Sequence, residues 1–207
     1  MSQENSKPKA KKTTKAKKVI KPVEATEQPA NINEAQPVEA TLTRHEWSAE
    51  DEVGTLLAAL IKCHKATNVL ELGTFEGYTT KYLIDAVNEN GGKLITVDIE
   101  DKVNESIKTQ LEANGHQFIK GSSLDVCKRL NRNSFDLIYI DTVHEWYHAL
   151  PEFKILEHLV KQGGILVYHD TMKFPDMKRL ANYVKAFRFQ SVTIRTPEGN
   201  GLSIIQK

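Results

Sequence analysis

From residue 42 onward the spacing of apolar positions keeps switching between two periods. Val53, Leu56, Leu57, Leu60 and Ile61 share one helical face. Ahead of them, Trp47-Ser48-Ala49-Glu50-Asp51 reads as a capped helix start, with Ser48 as N-cap and Asp51 three residues on. A short apolar run at 68–72 then predicts a buried strand. Residues 79–89 predict a helix that turns Tyr82, Leu83, Ala86 and Val87 inward, and Asn90-Gly91-Gly92 stops it. The alternation continues with strand 93–97, helix 102–114, strand 117–120, short helix 124–130, strand 135–140, helix 147–160, strand 165–168 and helix 176–186. The segments 190–195 and 202–205, joined across Glu198-Gly199-Asn200-Gly201, read as a β-hairpin.

Strands that alternate with helices, and that are apolar throughout, argue for a parallel sheet covered on both faces. The expected class is therefore α/β, a Rossmann-like doubly wound sheet with an antiparallel hairpin at its C-terminal end. Ligands of such sheets lie beyond the carboxyl ends of the strands. Polar residues gather at those ends here: Glu71, Asp98, Ser122, Asp141, and the pair His169-Asp170.

The first strand runs into Glu71-Leu72-Gly73-Thr74-Phe75-Glu76-Gly77-Tyr78. A glycine lets a ligand come close to the backbone. The spacing is Gly73-x-x-x-Gly77, not the G-x-G-x-x-G of dinucleotide sites, and a Glu71 carboxylate there would repel a pyrophosphate. The turn thus favours a nucleoside that carries positive charge. Asp98 follows Gly73 by 25 residues and suits the two ribose hydroxyls, although it could also cap the next helix. Gly121-Ser122-Ser123 serves as well for an adenine edge as for an N-cap, and the two uses are compatible.

Composition splits the 207-residue chain. Residues 1–40 hold eight lysines, five glutamates and four prolines with few apolar positions, which reads as a disordered lysine-rich tail. Residues 41–207 form the folded domain. The tail nets about +3 and leaves about −2 on the domain, within a formal total of +1. Such an arm serves as a solubiliser, or as a contact for nucleic acid or an acidic partner. The lysines lead into no apolar core of a signal peptide, and no run is long enough to span a membrane. Cys63 and Cys127 suggest no disulfide framework. The expectation is a cytoplasmic protein that does not engage membranes, with homo-oligomer formation left open.

Taken together, Glu71 to Thr79, Asp98, Phe135-Asp136-Leu137-Ile138-Tyr139-Ile140-Asp141 and the run from Leu159 to Asp170 resemble class I S-adenosylmethionine-dependent methyltransferases. The nearest likeness is to the branch of catechol-type and macrolide or sugar O-methyltransferases, over about residues 45–207. That resemblance implies strand order 3-2-1-4-5-7-6 and S-adenosylmethionine as cofactor. It assigns Glu71 and the turn residues Gly73, Thr74, Phe75, Gly77 and Tyr78 to the methionine part, Asp98 to the ribose, and Ser122 and Ser123 to the adenine side. Asp141 borders the same site.

The resemblance further implies a magnesium- or manganese-type cation on Asp141, His169 and Asp170 that lowers the pKa of an acceptor hydroxyl. The histidine in that set favours softer metals than magnesium. His144 stands where catechol-type members carry a catalytic lysine, so His144, with Asp141, is the implied catalytic pair. The expected reaction is methylation of a small-molecule hydroxyl. Two alternatives stay open: a nucleic-acid methyltransferase recruited by the basic arm, and a non-catalytic binder of the same fold. Against the former, Asp141-Thr142-Val143-His144 is not the Pro-Pro-aromatic motif of amino-group DNA enzymes, and neither cysteine follows a proline.

Overall fold

The computed structural model describes residues 42–186 and 189–207; the stretch read as a lysine-rich tail lies outside the described residues. The chain runs α1 (Asp51–His64), β1 (Asn68–Leu72), α2 (Tyr78–Glu89), β2 (Lys93–Asp98), α3 (Glu105–Ala113) and β3 (Gln117–Lys120). It continues α4 (Ser123–Cys127), β4 (Phe135–Ile140), α5 (Trp146–Leu159), β5 (Val160–Tyr168), α6 (Pro175–Lys185), β6 (Gln190–Ile194) and β7 (Leu202–Gln206). One seven-stranded sheet results, in the order β3-β2-β1-β4-β5-β7-β6. Its first five strands are parallel, and β7 pairs antiparallel with both β5 and β6.

The two-residue period of the strands sorts side chains onto two cores. Val69, Leu137, Tyr139 and Val167 face one way, against Val53, Leu57 and Ile61 of α1, Leu83 and Ile84 of α2 and Ile107 of α3. Leu70, Leu72, Ile138, Ile140 and Leu166 face the other way, against Phe153 and Leu156 of α5 and Met177, Leu180 and Val184 of α6. With both faces covered, small ligands are left the rim at the strand ends.

Three element starts differ from the sequence expectation, each for a local reason. The helix expected from 102 begins at Glu105, because the Asn104 side chain accepts from Ser106 N at 2.9 Å and caps it there. β5 begins at Val160 instead of 165, with a register shift against β4 that absorbs Gly163-Gly164. Ser48 does not cap α1: Glu50 holds the N-cap position, and its side chain is turned away from the helix. Arg44 takes the Ser48 and Ala49 carbonyls instead, at 3.0 Å each, and pairs with Glu198 at 2.6 Å. The segment before α1 is thereby tied to the β6–β7 loop.

Candidate functional site

Gly73 ends β1 at φ +94°, and its N–H donates to Val97 O at 2.9 Å. A Cβ there would fall 1.9 Å from the Asp141 carbonyl oxygen, so only glycine lets the ends of β1 and β4 approach this closely. Gly77 closes the turn at φ +89° by donating to Thr74 O at 2.8 Å. A Cβ on Gly77 would lie 2.8 Å from Ile107 Cγ2, which seats the turn on α3. Between them Phe75 N donates to Asp98 Oδ2 at 2.8 Å, while Glu100 N donates to Oδ1 at 2.9 Å. Two backbone bonds thus fix the Asp98 carboxylate, and each oxygen keeps a lone pair for a ligand hydroxyl.

Two cavities meet at this turn. One, of about 250 Å³, is lined by Val97, Ile99, Ser122, Ser123, Thr142 and His148 together with Gly73, Asp98 and Asp141. The other, of about 230 Å³, is lined by Trp47, Ser48, Thr74, Phe75, Tyr78 and His144, again with Gly73, Asp98 and Asp141. The three shared residues set the two cavities side by side, as a trough along the strand ends.

Most of the residues singled out from sequence therefore reach one trough: Gly73, Thr74, Phe75, Tyr78, Asp98, Ser122, Ser123, Asp141 and His144. Gly77 shapes the turn without lining it. Glu71 lies elsewhere than the resemblance implies. Its place on β1 points it into the α1–α3 core, fully buried, where Oε2 accepts from Thr80 Oγ1 at 2.7 Å and Thr96 Oγ1 at 2.6 Å. Oε1 has no partner. Burial pushes the Glu71 carboxyl up to about 8, and the two hydroxyl bonds offset this only partly. The repulsion of a pyrophosphate argued from Glu71 therefore has little charge behind it at neutral pH. The turn geometry carries that discrimination alone.

At the His144 end of the trough, Asp141, His144, His169 and Asp170 crowd together. His144 Nε2 lies 3.3 Å from both Asp141 Oδ1 and Asp170 Oδ2, and its ring stacks on Phe174 with centroids 4.5 Å apart. His169 is buried. Its Nε2 meets Glu50 Oε2 at 3.0 Å, and its Nδ1 lies 3.3 Å from Asp141 Oδ2 and 3.6 Å from Asp170 Oδ1. Burial would lower the His169 pKa, but Asp141, Asp170 and Glu50 raise it to about 9. Burial likewise works to raise Asp141, yet His169 and His144 outweigh it and hold that carboxyl far below the usual range. Asp170 is raised, chiefly by burial.

A divalent cation fits this donor set. Ligand atoms from Asp141, His144 and Asp170 lie within 4.8 Å of one another. On the inner side, His169 Nδ1 and Asp170 Oδ1 are buried without a hydrogen-bond partner, although Asp141 Oδ2 is at ion-pair distance from the former. Spacings of 3.3 and 3.6 Å are those of neighbouring ligands around one ion with bonds of roughly 2.0–2.2 Å. Thiol chemistry has no place here: Cys63 lines neither cavity, and burial pushes the Cys127 thiol up to about 12.

Several participants escaped the sequence reading. No motif marks His148 in the sequence. α5 starts at Trp146 and runs through Pro151, so His148 and Glu152 stand one turn apart at 3.3 Å. The buried Glu152 also accepts from Ser123 Oγ at 2.5 Å and Thr142 Oγ1 at 2.9 Å, which links three walls of the first cavity. Trp146 packs against Tyr183 beneath Arg179 and lines neither cavity. Trp47 does line the second cavity, largely exposed.

A family model described as "Methyltransferase domain" matches residues 70–171, the stretch that carries the turn, Asp98, Asp141, His169 and Asp170. The chain belongs to the class I S-adenosylmethionine-dependent methyltransferases. Among curated relatives, a caffeoyl-CoA O-methyltransferase of Petunia hybrida is 30% identical over 163 residues, 70% of this chain and 66% of that protein. The O-methyltransferase hkm8 of Aspergillus hancockii is 30% identical over 106 residues, 49% of this chain and 42% of that protein. The chain thus spans less than two thirds of the length of these relatives. An O-methyltransferase of Bacillus cereus, solved in complex with SAH, superposes with a TM-score of 0.66 at 19% identity, covering 79% of this chain and 84% of that one. TomG of Streptomyces achromogenes, solved with SAM, gives 0.63 at 22% identity, covering 77% and 81%. At these identities the structural likeness speaks for the class I fold, and the strand order agrees with it.

Proposed function

We propose that this protein transfers the sulfonium methyl of S-adenosylmethionine to the oxygen of a small-molecule hydroxyl. The observation that carries the reading is the trough itself. Asp98, Gly73 and Asp141 border both cavities, and His144 stands at the end away from the adenine side. The relatives named as O-methyltransferases support oxygen as the acceptor atom.

When bound, S-adenosylmethionine supplies an electrophilic methyl that an acceptor oxygen takes by in-line displacement, leaving a neutral thioether. Asp98 accepts bonds from the ribose hydroxyls, and Ser122 and Ser123 face the base. Gly73 lets the methionine part lie against the backbone between β1 and β4. His144 Nε2 donates toward Asp141 Oδ1 and Asp170 Oδ2, both 3.3 Å away, so Nδ1 takes the acceptor's proton and the two carboxylates hold the resulting imidazolium. Alignment of donor and acceptor accounts for much of the remaining rate.

We set the cation on an inner seat of Asp141, His169 and Asp170, a reading supported by the buried His169 Nδ1 that lacks a hydrogen-bond partner, and leave His144 for the proton. The cation's contribution there is to polarise the acceptor oxygen. The mixed nitrogen and oxygen donors favour manganese, iron or zinc over magnesium.

Among the described residues no helix is long and apolar enough to cross a membrane. The absence of any disulfide pairing of Cys63 and Cys127 fits work in the cytoplasm. For the lysine-rich stretch we keep the reading of a contact for nucleic acid or an acidic partner. Unchanged partner capture after removal of residues 1–40 would refute it.

The central test is calorimetry with S-adenosylhomocysteine, followed by methyl transfer to a panel of phenols and vicinal diols. Binding with turnover of a hydroxyl acceptor is the expected result. Absence of binding would sink the reading, and binding without any transfer would favour the non-catalytic alternative.

A further inference from the structure

Glu50 has no partner within its own helix, although it holds the N-cap position of α1. Only 2% of it is exposed. Its Oε2 meets His169 Nε2 at 3.0 Å, 119 residues away in sequence, and its Oε1 accepts from Asn200 Nδ2 at 3.1 Å. A carboxylate only accepts, so the hydrogen between Glu50 and His169 belongs to Nε2. The opposite ring nitrogen, Nδ1, is then the one presented to Asp141 and Asp170. It is buried and lacks a hydrogen-bond partner, as does Asp170 Oδ1 beside it. Asp141 Oδ2 at 3.3 Å and Asp170 Oδ1 at 3.6 Å stand around Nδ1 at the spacing of neighbouring ligands on one ion.

We infer that Glu50 is a positioning residue for metal: it holds the His169 ring by Nε2–H so that Nδ1 serves as a ligand to a divalent cation shared with Asp141 and Asp170. The inference rests on the cation reading above and adds to it a residue outside the cluster of candidate ligands. The arrangement is physically economical. A histidine ligand needs its tautomer and ring angle fixed, and a carboxylate on the far nitrogen does both while making the near nitrogen more basic. Asn200 on the β6–β7 loop fixes the second Glu50 oxygen, so the carboxylate cannot rotate away. The ordinary alternative is a buried ion pair that only pins α1 to β5. An ion pair of that kind would matter for folding and not for metal affinity, which separates the two.

The test uses the full chain, stripped of metal and titrated with Mn(II) alone, free ion being read by electron paramagnetic resonance. Thermal melting and S-adenosylhomocysteine calorimetry on the same samples report the fold. The wild type should bind one Mn(II). Glu50→Gln, which keeps the shape and a weaker acceptor, should bind about tenfold more weakly. Glu50→Ala should fall toward the hundredfold end of the range for lost outer partners of metal ligands, with S-adenosylhomocysteine affinity unchanged. His144→Ala should keep Mn(II) affinity. Should Glu50→Ala not fold, Glu50→Gln decides alone. Wild-type protein that takes up no Mn(II) removes the cation reading, and this inference with it. Mn(II) affinity in Glu50→Gln equal to wild type overturns the role of Glu50 and leaves the cation reading standing.

Discussion

Two carboxyl groups at neighbouring strand ends, Glu71 on β1 and Asp141 after β4, meet opposite electrostatic fates. Glu71 is sealed in the core with hydroxyl groups as its only partners, and burial lifts it to about 8. Asp141 keeps 19% of its side chain exposed and stands beside His144 and His169, which keep it ionised. Apart from the Asp98 carboxylate, the donor half of the site is therefore nearly neutral, built from backbone geometry and fixed hydroxyls. The acceptor half concentrates charge. That division suits a reaction in which a sulfonium is held by shape while a proton is removed a few ångströms away.

The strongest blow to this contrast is Asp141→Asn. It removes the charge that holds both histidines, so kcat should fall about a thousandfold while S-adenosylhomocysteine affinity changes less than about tenfold. Equal losses in both would mean that the two halves are not separable.

Glu71→Gln acts on the other side of the comparison. The folded pKa, about 8, lies above the ordinary 4.5, so the unfolded chain loses its proton first as pH rises. Wild-type stability from this group is fully present below pH 4.5 and is lost as pH climbs through about 8. Glutamine does not titrate. Denaturant unfolding should therefore show the variant gaining on wild type by roughly 1 kcal/mol per pH unit across that window. A gap that is flat with pH would show that Glu71 is ionised in the fold.

Gly73→Ala probes the seam between the halves. A Cβ 1.9 Å from Asp141 O, at φ +94°, should cost about 2–3 kcal/mol of stability and weaken cofactor binding together with activity. Intact cofactor affinity would show that the β1–β4 approach does not shape the trough.

What was legible in the sequence follows the same division. The sheet and the donor half rest on local signals, namely strand period, the Gly73–Gly77 spacing and an acidic residue closing β2, while the strand order followed only from the family resemblance those motifs carry. Asp141, His169 and Asp170 could also be placed, because each directly follows an apolar strand. The rest of the acceptor half depends on contacts that sequence spacing does not encode. Glu50 finds His169 across 119 residues, and nothing near Ser48 distinguishes a cap from the approach to a buried ion pair. Phe174 reaches His144 from the start of α6. Glu71 shows the converse failure: its position was readable, but its environment, and therefore its charge, comes from Thr80 and Thr96 on other elements.

The smallest expected effect lies at the adenine end, where one ionisable pair joins Asp98 in departing from the neutral character of the donor half. His148 is raised from its ordinary value chiefly by its bond to Glu152, with Glu145 adding to it. On the same cavity Asp98 and Asp141 are the other charged groups. A raised folded pKa means stability that is fully present below about 6.5 and lost as pH rises through the folded value. His148→Gln should therefore lower the melting temperature more at pH 6 than at pH 9, by an amount worth less than about 1 kcal/mol. S-adenosylhomocysteine affinity should follow the same trend, since a protonated His148 offers the base a stronger donor. A deficit equal at both pH values would make His148 a neutral wall residue.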